Sequence, residues 1–123
     1  MTNQEIGNIG ENAAANLLIE KGYTILNRNY HAGHLEVDII ALKDDVVAFV
    51  EVKTRAVNYL VSPQESVNYR KQNYIANAAN SYMQRFKRTE EARLDVITVL
   101  HKNGAVVSVE HIENAYYPKI RTY

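Results

Sequence analysis

The 123-residue chain has no cysteine, no tryptophan and only two prolines. Without thiols, a disulfide framework and a thiolate metal site are both excluded. No long apolar run and no signal-like N-terminus occur, so the expectation is a cytoplasmic protein without a membrane partner. Repeats, low-complexity tracts and linkers are also missing. The expectation is therefore a single domain over residues 1–123, with a core from about 3 to 112 and a tail from 113 to 123. Net charge is absent too, because 14 Lys and Arg balance 14 Asp and Glu. The balance is uneven along the chain: residues 1–61 hold five basic and eight acidic residues, residues 62–123 nine and six. A total of zero argues against tight non-specific binding to long duplex. A cation in the acidic half would let the basic half face phosphates.

What the sequence does contain is charge where burial is expected. From His34 to Arg55 it reads HLEVDIIALKDDVVAFVEVKTR. Two runs rich in β-branched residues, Val37–Leu42 and Val46–Val52, flank the polar Lys43, Asp44 and Asp45, which predicts a β-hairpin at the centre of a sheet. Glu36, Asp38, Glu51 and Lys53 lie at the ends of these runs, where ionised groups are costly unless paired or bound to a metal. If the loop is Asp44-Asp45, opposite residues have numbers summing to 89. Asp38 then faces Glu51, Glu36 faces Lys53, and all four share one face. Cross-strand Cβ atoms about 5 Å apart would let Asp38 and Glu51 share one small cation, with Lys53 beside it. Carboxylate oxygens suit Mg²⁺ or Mn²⁺, and an ammonium beside them suits metal-assisted phosphodiester cleavage.

Around the hairpin, Asn3 to Lys21 reads as a helix ended by Gly22. Ile6, Ile9, Ala13 and Leu17 form one apolar row and Gly10, Ala14 and Leu18 its neighbour. Glu11 lies at the stripe's edge, either as a boundary residue or as a third acidic contributor. Tyr23–Tyr30 reads as a first strand carrying Arg28. His31 and His34 follow in a loop and are set aside as ligands, because two histidines without a third partner make a weak metal signature. Arg55 follows Lys53 at a distance suited to a phosphate contact. Ser62-Pro63-Gln64-Glu65 is a helix start, and the helix is expected to run to about Phe86. Its apolar row is Val67, Ile75, Ala78, Ala79, Tyr82 and Phe86 and places Lys71 inward, by snorkelling or toward a phosphate. The opposite row, with Arg70, Tyr74, Asn77, Ser81 and Arg85, reads as a solvated basic face able to follow a nucleic-acid backbone. Leu94–Leu100 and Ala105–Ile112 complete the strands across an Asn-Gly turn, and Asp95 is expected to pair with a basic residue.

The order helix, strand, hairpin, helix, strand, strand predicts an α/β fold with a mixed β-sheet flanked by helices. The D-x(12)-E-x-K pattern of Asp38, Glu51 and Lys53 resembles the PD-(D/E)XK nuclease superfamily, with Val37 where the proline of that name falls. The blocks IGENAAANLLIEKGYTILNRNY, EVDIIA, AFVEVKTR, SPQESVNYRKQNYIANAANSY and RLDVITV resemble the bacterial YraN-like family, over nearly all of residues 6 to 100. The resemblance implies a restriction-endonuclease-like core similar to archaeal Holliday-junction resolvases. It also implies metal at Asp38 and Glu51, Lys53 in the active site, and Glu11 completing the acidic set. Glu36 matches the acidic residue two before the aspartate, but Leu35 stands where the family usually has Gly. The expected activity is Mg²⁺- or Mn²⁺-dependent cleavage of DNA, in preference to RNA, with branched or structured DNA as the substrate the resemblance implies and Arg28, Arg55 and Lys71 toward the nucleic acid. A resolvase would require a two-fold homodimer, which no sequence feature demonstrates. The alternative is a non-catalytic nucleic-acid-binding or adaptor module in which Glu36 and Lys53 form a buried ion pair.

Overall fold

The computed structural model describes residues 1–58 and 69–115. The helix start read at Ser62-Pro63 and most of the tail lie outside them. The elements are α1 (Asn3–Glu20), β1 (Thr24–Ala32), β2 (Leu35–Lys43), β3 (Val46–Ala56), α2 (Tyr69–Arg85), β4 (Glu91–Lys102) and β5 (Ala105–Ile112). The strands form one mixed sheet in sequential order. All neighbours are antiparallel except β3 and β4, which run parallel after the long crossover containing α2. The fold is thus α/β, a five-stranded sheet with one described helix on each face. Among the described residues no helix is long and apolar enough to cross a membrane.

Local chemistry sets the corners. Thr2 and Glu5 form a reciprocal capping box at the start of α1. Gly22, at φ 96°, turns the chain out of the helix, as its position predicts. Asp44, at φ 52°, closes the β2–β3 hairpin between Lys43 and Val46, so the two-residue loop is the one expected.

Two cores lie on opposite faces. Against α2 pack Ile40, Val47, Phe49, Leu94 and Val96, met by Ile75, Ala78, Ala79 and Tyr82. Against α1 pack Ile39, Ala41, Ala48, Val50, Ile97 and Val99, met by Ala14, Ala15 and Leu18. The α2 row is the one read from the sequence from Ile75 to Tyr82, but Phe86, expected to continue it, lies just past the end of the helix and is exposed, and Val67 falls outside the described residues. In α1 the rows exchange rank: Gly10, Ala14 and Leu18 are buried while Ile6, Ile9, Ala13 and Leu17 lie at the margin. Small residues win the central row because they let the helix backbone approach the sheet.

Gly10 sets that approach. A Cβ there would run into the side chain of Thr54 on β3, at atoms held close to the strand backbone. We expect Gly10→Ala to destabilise the protein by about 1–3 kcal/mol through overpacking, despite alanine's better helix propensity. Denaturant unfolding checks this, and a variant as stable as the parent would show that α1 can lift without penalty. Because Glu11 is the next residue, this contact also fixes how closely the helix brings its carboxylate to β3.

Candidate functional site

The hairpin register follows the predicted sum, from Lys43↔Val46 to Ile39↔Val50, and the ladder stops there. Beyond that point β2 stays with β1, pairing Val37 with Tyr30 and Glu36 with His31. Meanwhile β3 stays with β4, pairing Glu51 with Val96 and Lys53 with Thr98. The sheet therefore forks between β2 and β3, at the place where the extended register would set Asp38 against Glu51. Like charges directly opposite one another disfavour pairing, and each strand has another neighbour to satisfy its backbone. The predicted juxtaposition of Glu36 with Lys53 does not form. Glu36 instead meets His31, Nε2 to Oε2 at 3.5 Å.

Asp38 fills the fork. Its Oδ2 accepts the backbone N–H of Val52 at 2.8 Å, taking the place of a ladder partner. Burial pushes its carboxyl up to about 6, against the lowering effect of that hydrogen bond, and the negative charges of Glu51, Glu11 and Glu36 push it further. Three further carboxylates, from β2, β3 and α1, are therefore close enough to act on Asp38.

Each of the others is held differently. Glu51 is 6% exposed and forms an ion pair with Lys71 of α2. The lysine's side chain is 54% exposed, yet its ammonium reaches inward to the carboxylate, as its place in the apolar row predicts. Glu11 receives Arg28 Nε at 3.0 Å and Asn29 Nδ2 at 3.1 Å, both on Oε1. Arg28 also reaches Asn12 Oδ1 at 2.7 Å. Oε2 of Glu11 takes no donor among the described residues. Arg28, expected toward nucleic acid, here orients an acidic side chain. Arg55 donates to the Thr54 carbonyl at 3.0 Å and lines the groove beside Glu11. Lys53 is half-buried on β3, on the face of Glu51 by strand alternation, and among the described residues it pairs with none of the four carboxylates.

The fork opens to both faces of the sheet. On the α2 side a cavity of about 440 Å³ lies between the start of β2 and α2, walled by Val37, Val50, Tyr74 and Ile75 and bordered by Asp38, Glu51, Arg70 and Lys71. On the α1 side a polar groove runs past Glu11, Asn29, Thr54 and Arg55. Asp38 and Glu36 border both. The sequence reading did not place Tyr74 and Arg70 in the site. Their spacing of three from Lys71 and one before it was the available signal. His34, set aside as a ligand, borders the cavity near Glu36.

Among the described residues no three His, Asp or Glu side chains converge into a ready metal cage. The donor set nevertheless fits a hard divalent ion. It is all carboxylate, burial first and like charges second push Asp38 up, and one Glu11 oxygen is left open. Mg²⁺ is commonly held by one or two carboxylates with water and substrate phosphate completing the shell.

A second polar cluster lies away from the fork. Asp95 is fully buried; Arg93 grips it through Nε and Nη2 at 2.9 and 2.8 Å, and the Asn114 N–H donates to it at 3.0 Å. His111 Nε2 is 2.8 Å from Asp95, and its Nδ1 is 2.6 Å from the Lys21 ammonium. Because Lys21 donates to Nδ1, the ring proton sits on Nε2 and points at Asp95. Burial alone would raise the Asp95 carboxyl, but the hydrogen bonds from His111, Arg93 and Asn114 hold it below the ordinary carboxylate range. Asp95 thus has the basic partner expected of it, and it ties β4 to β5 and to the end of α1.

Residues 10–99 match the uncharacterised protein family UPF0102. A UPF0102 protein of Bacteroides thetaiotaomicron is 41% identical over 116 residues, covering 94% of this chain and 95% of the relative. Others from Parabacteroides distasonis and Dictyoglomus turgidum are 38% and 40% identical, covering 95% and 94% of this chain and 96% and 100% of their own lengths.

Proposed function

We propose that this chain, which belongs to the uncharacterised protein family UPF0102, is a nuclease-like hydrolase that cleaves DNA phosphodiester bonds with Mg²⁺ or Mn²⁺ on a restriction-endonuclease-like core. The observation that carries the reading is Asp38, half-buried in a split sheet, with three further carboxylates from β2, β3 and α1 near enough to act on it. Nothing in folding alone calls for four acids at one fork, since each adds repulsion.

Asp38 and Glu51 would hold the ion, with Glu11 turned toward it by Arg28 and Asn29. The ion would lower the pKa of a bound water and offset charge on the phosphate. Lys53 has a flexible four-carbon stem on the face of Glu51, and it orients the attacking water or meets the charge that develops on the phosphate. Lys71 and Arg55 supply positive charge from α2 and from the end of β3 for the flanking phosphates.

A panel of linear, flapped and four-way DNA, with RNA alongside, tests this with either ion. Lys53→Ala is expected to slow cleavage by about 10²–10⁴-fold while leaving the fold intact. Equal rates for variant and parent would remove Lys53 from its role. No cleavage of any substrate would retire the enzyme reading.

A second reading is a nucleic-acid-binding or adaptor module. It is favoured by the Lys71–Glu51 and Arg28–Glu11 ion pairs, which balance two of the acids without a metal. A protein whose melting is unmoved by millimolar Mg²⁺ or Mn²⁺ would favour that module.

A further inference from the structure

We propose that the cavity between β2 and α2 seats an unpaired base of a single-stranded DNA whose phosphate lies at the fork. The identity of the strand rests on the nuclease reading above. The cavity itself is a separate observation.

Its size, about 440 Å³, lies within the range of roughly 300–1,000 Å³ usual for small-molecule sites and accepts a base with its sugar. Its walls are of two kinds. Val37 and Ile75, at most 6% exposed, back the cavity with apolar side chains. Tyr74, 47% exposed, presents a ring at the cavity's edge. Bare phosphate would gain nothing from these walls, and an uncharged apolar ligand would gain nothing from Arg70 and Lys71 beside them. A nucleotide uses both, with its heterocycle against the aromatic and aliphatic walls and its phosphate toward the cations.

Position narrows the ligand further. Asp38 borders the cavity and also the polar groove on the opposite face, so the two spaces meet at the acidic cluster. A strand lying across the fork would place one residue's base on the α2 side while its backbone continues past Arg55. A base paired and stacked in a duplex has no free face to offer such a cavity, so a base enters only when it is unpaired or turned out of the stack.

The test compares an eight-nucleotide DNA strand of mixed sequence with an abasic strand of the same length and phosphate number. Both are titrated by fluorescence anisotropy at low salt with EDTA, so that cleavage does not enter. The parent protein is expected to bind the base-bearing strand about tenfold or more tightly than the abasic one. Tyr74→Ala, at an exposed position, should keep the parent's thermal midpoint and lose most of that preference. Equal binding of the two strands by the parent, or a preference that survives in Tyr74→Ala, would overturn the proposal. The two readings fail separately. A protein that shows the base preference yet cuts nothing with Mg²⁺ or Mn²⁺ retires the nuclease and keeps the cavity. One that cuts base-bearing and abasic strands at equal rates retires the cavity and keeps the nuclease.

Discussion

Asp38→Asn is expected to make the metal-free protein more stable above pH 6 while weakening its hold on Mg²⁺ or Mn²⁺ by tenfold or more. The sign follows from the carboxyl, which rises from 3.8 to about 6 on folding. A raised acid contributes its stability in full below the unfolded value, near pH 4, and loses it as pH climbs through 6. Above that, the ionised Asp38 costs the fold about 3 kcal/mol at most. Asparagine avoids the charge and keeps an oxygen for the Val52 N–H, so its thermal midpoint should exceed the parent's by several degrees at pH 8. The two proteins should converge near pH 4. In the parent, protons and metal compete for the same oxygens, so metal affinity should fall as pH drops below about 6. An Asp38→Asn variant that is less stable than the parent at pH 8 without metal would mark Asp38 as a structural hydrogen-bond acceptor.

Arg93→Ala should give the largest loss of stability. It leaves Asp95, fully buried, with only His111 and one backbone N–H, and it removes a hydrogen bond to the Tyr23 hydroxyl. Breaking one partner out of a buried ion pair costs about 3–5 kcal/mol, a large part of the roughly 5–15 kcal/mol that holds a domain together. Replacing both partners with apolar residues, as in Arg93→Met with Asp95→Leu, should be less damaging than Arg93→Ala alone. Denaturant unfolding of the three variants settles the order. A loss below about 1 kcal/mol for Arg93→Ala would mean that His111 balances Asp95 by itself. Because the Asp95 carboxyl is held low, its contribution is present at neutral pH and is lost as acid carries it below the ordinary carboxylate range.

These two residues show how far the sequence could be read. Asp95 was legible as a paired acid, because a lone charge on a buried strand needs a partner. His111 and Lys21 were not, since nothing local ties positions 90 residues apart. The hairpin register was legible because loop length fixes it, and so was the order of the elements. The fork was not, because it depends on β4 arriving beside β3 from the far side of a crossover. For the same reason Arg28 read as a cation available to nucleic acid, when α1 folds back to give it Glu11. Lys71 read correctly as pointing inward, but its partner, twenty residues away in sequence, became visible only with the helix in place.

The contact between Lys71 and Glu51 bears on how an ion would enter. A buried carboxylate already holding an ammonium offers an exchange site, since one cation must leave or shift as another arrives. Swapping an ammonium for a divalent ion would change the local charge by a single unit, so Glu51 would not be left uncovered at any stage, while Glu11 keeps Arg28 throughout. The displaced ammonium would stay tethered to α2 at the border of the cavity.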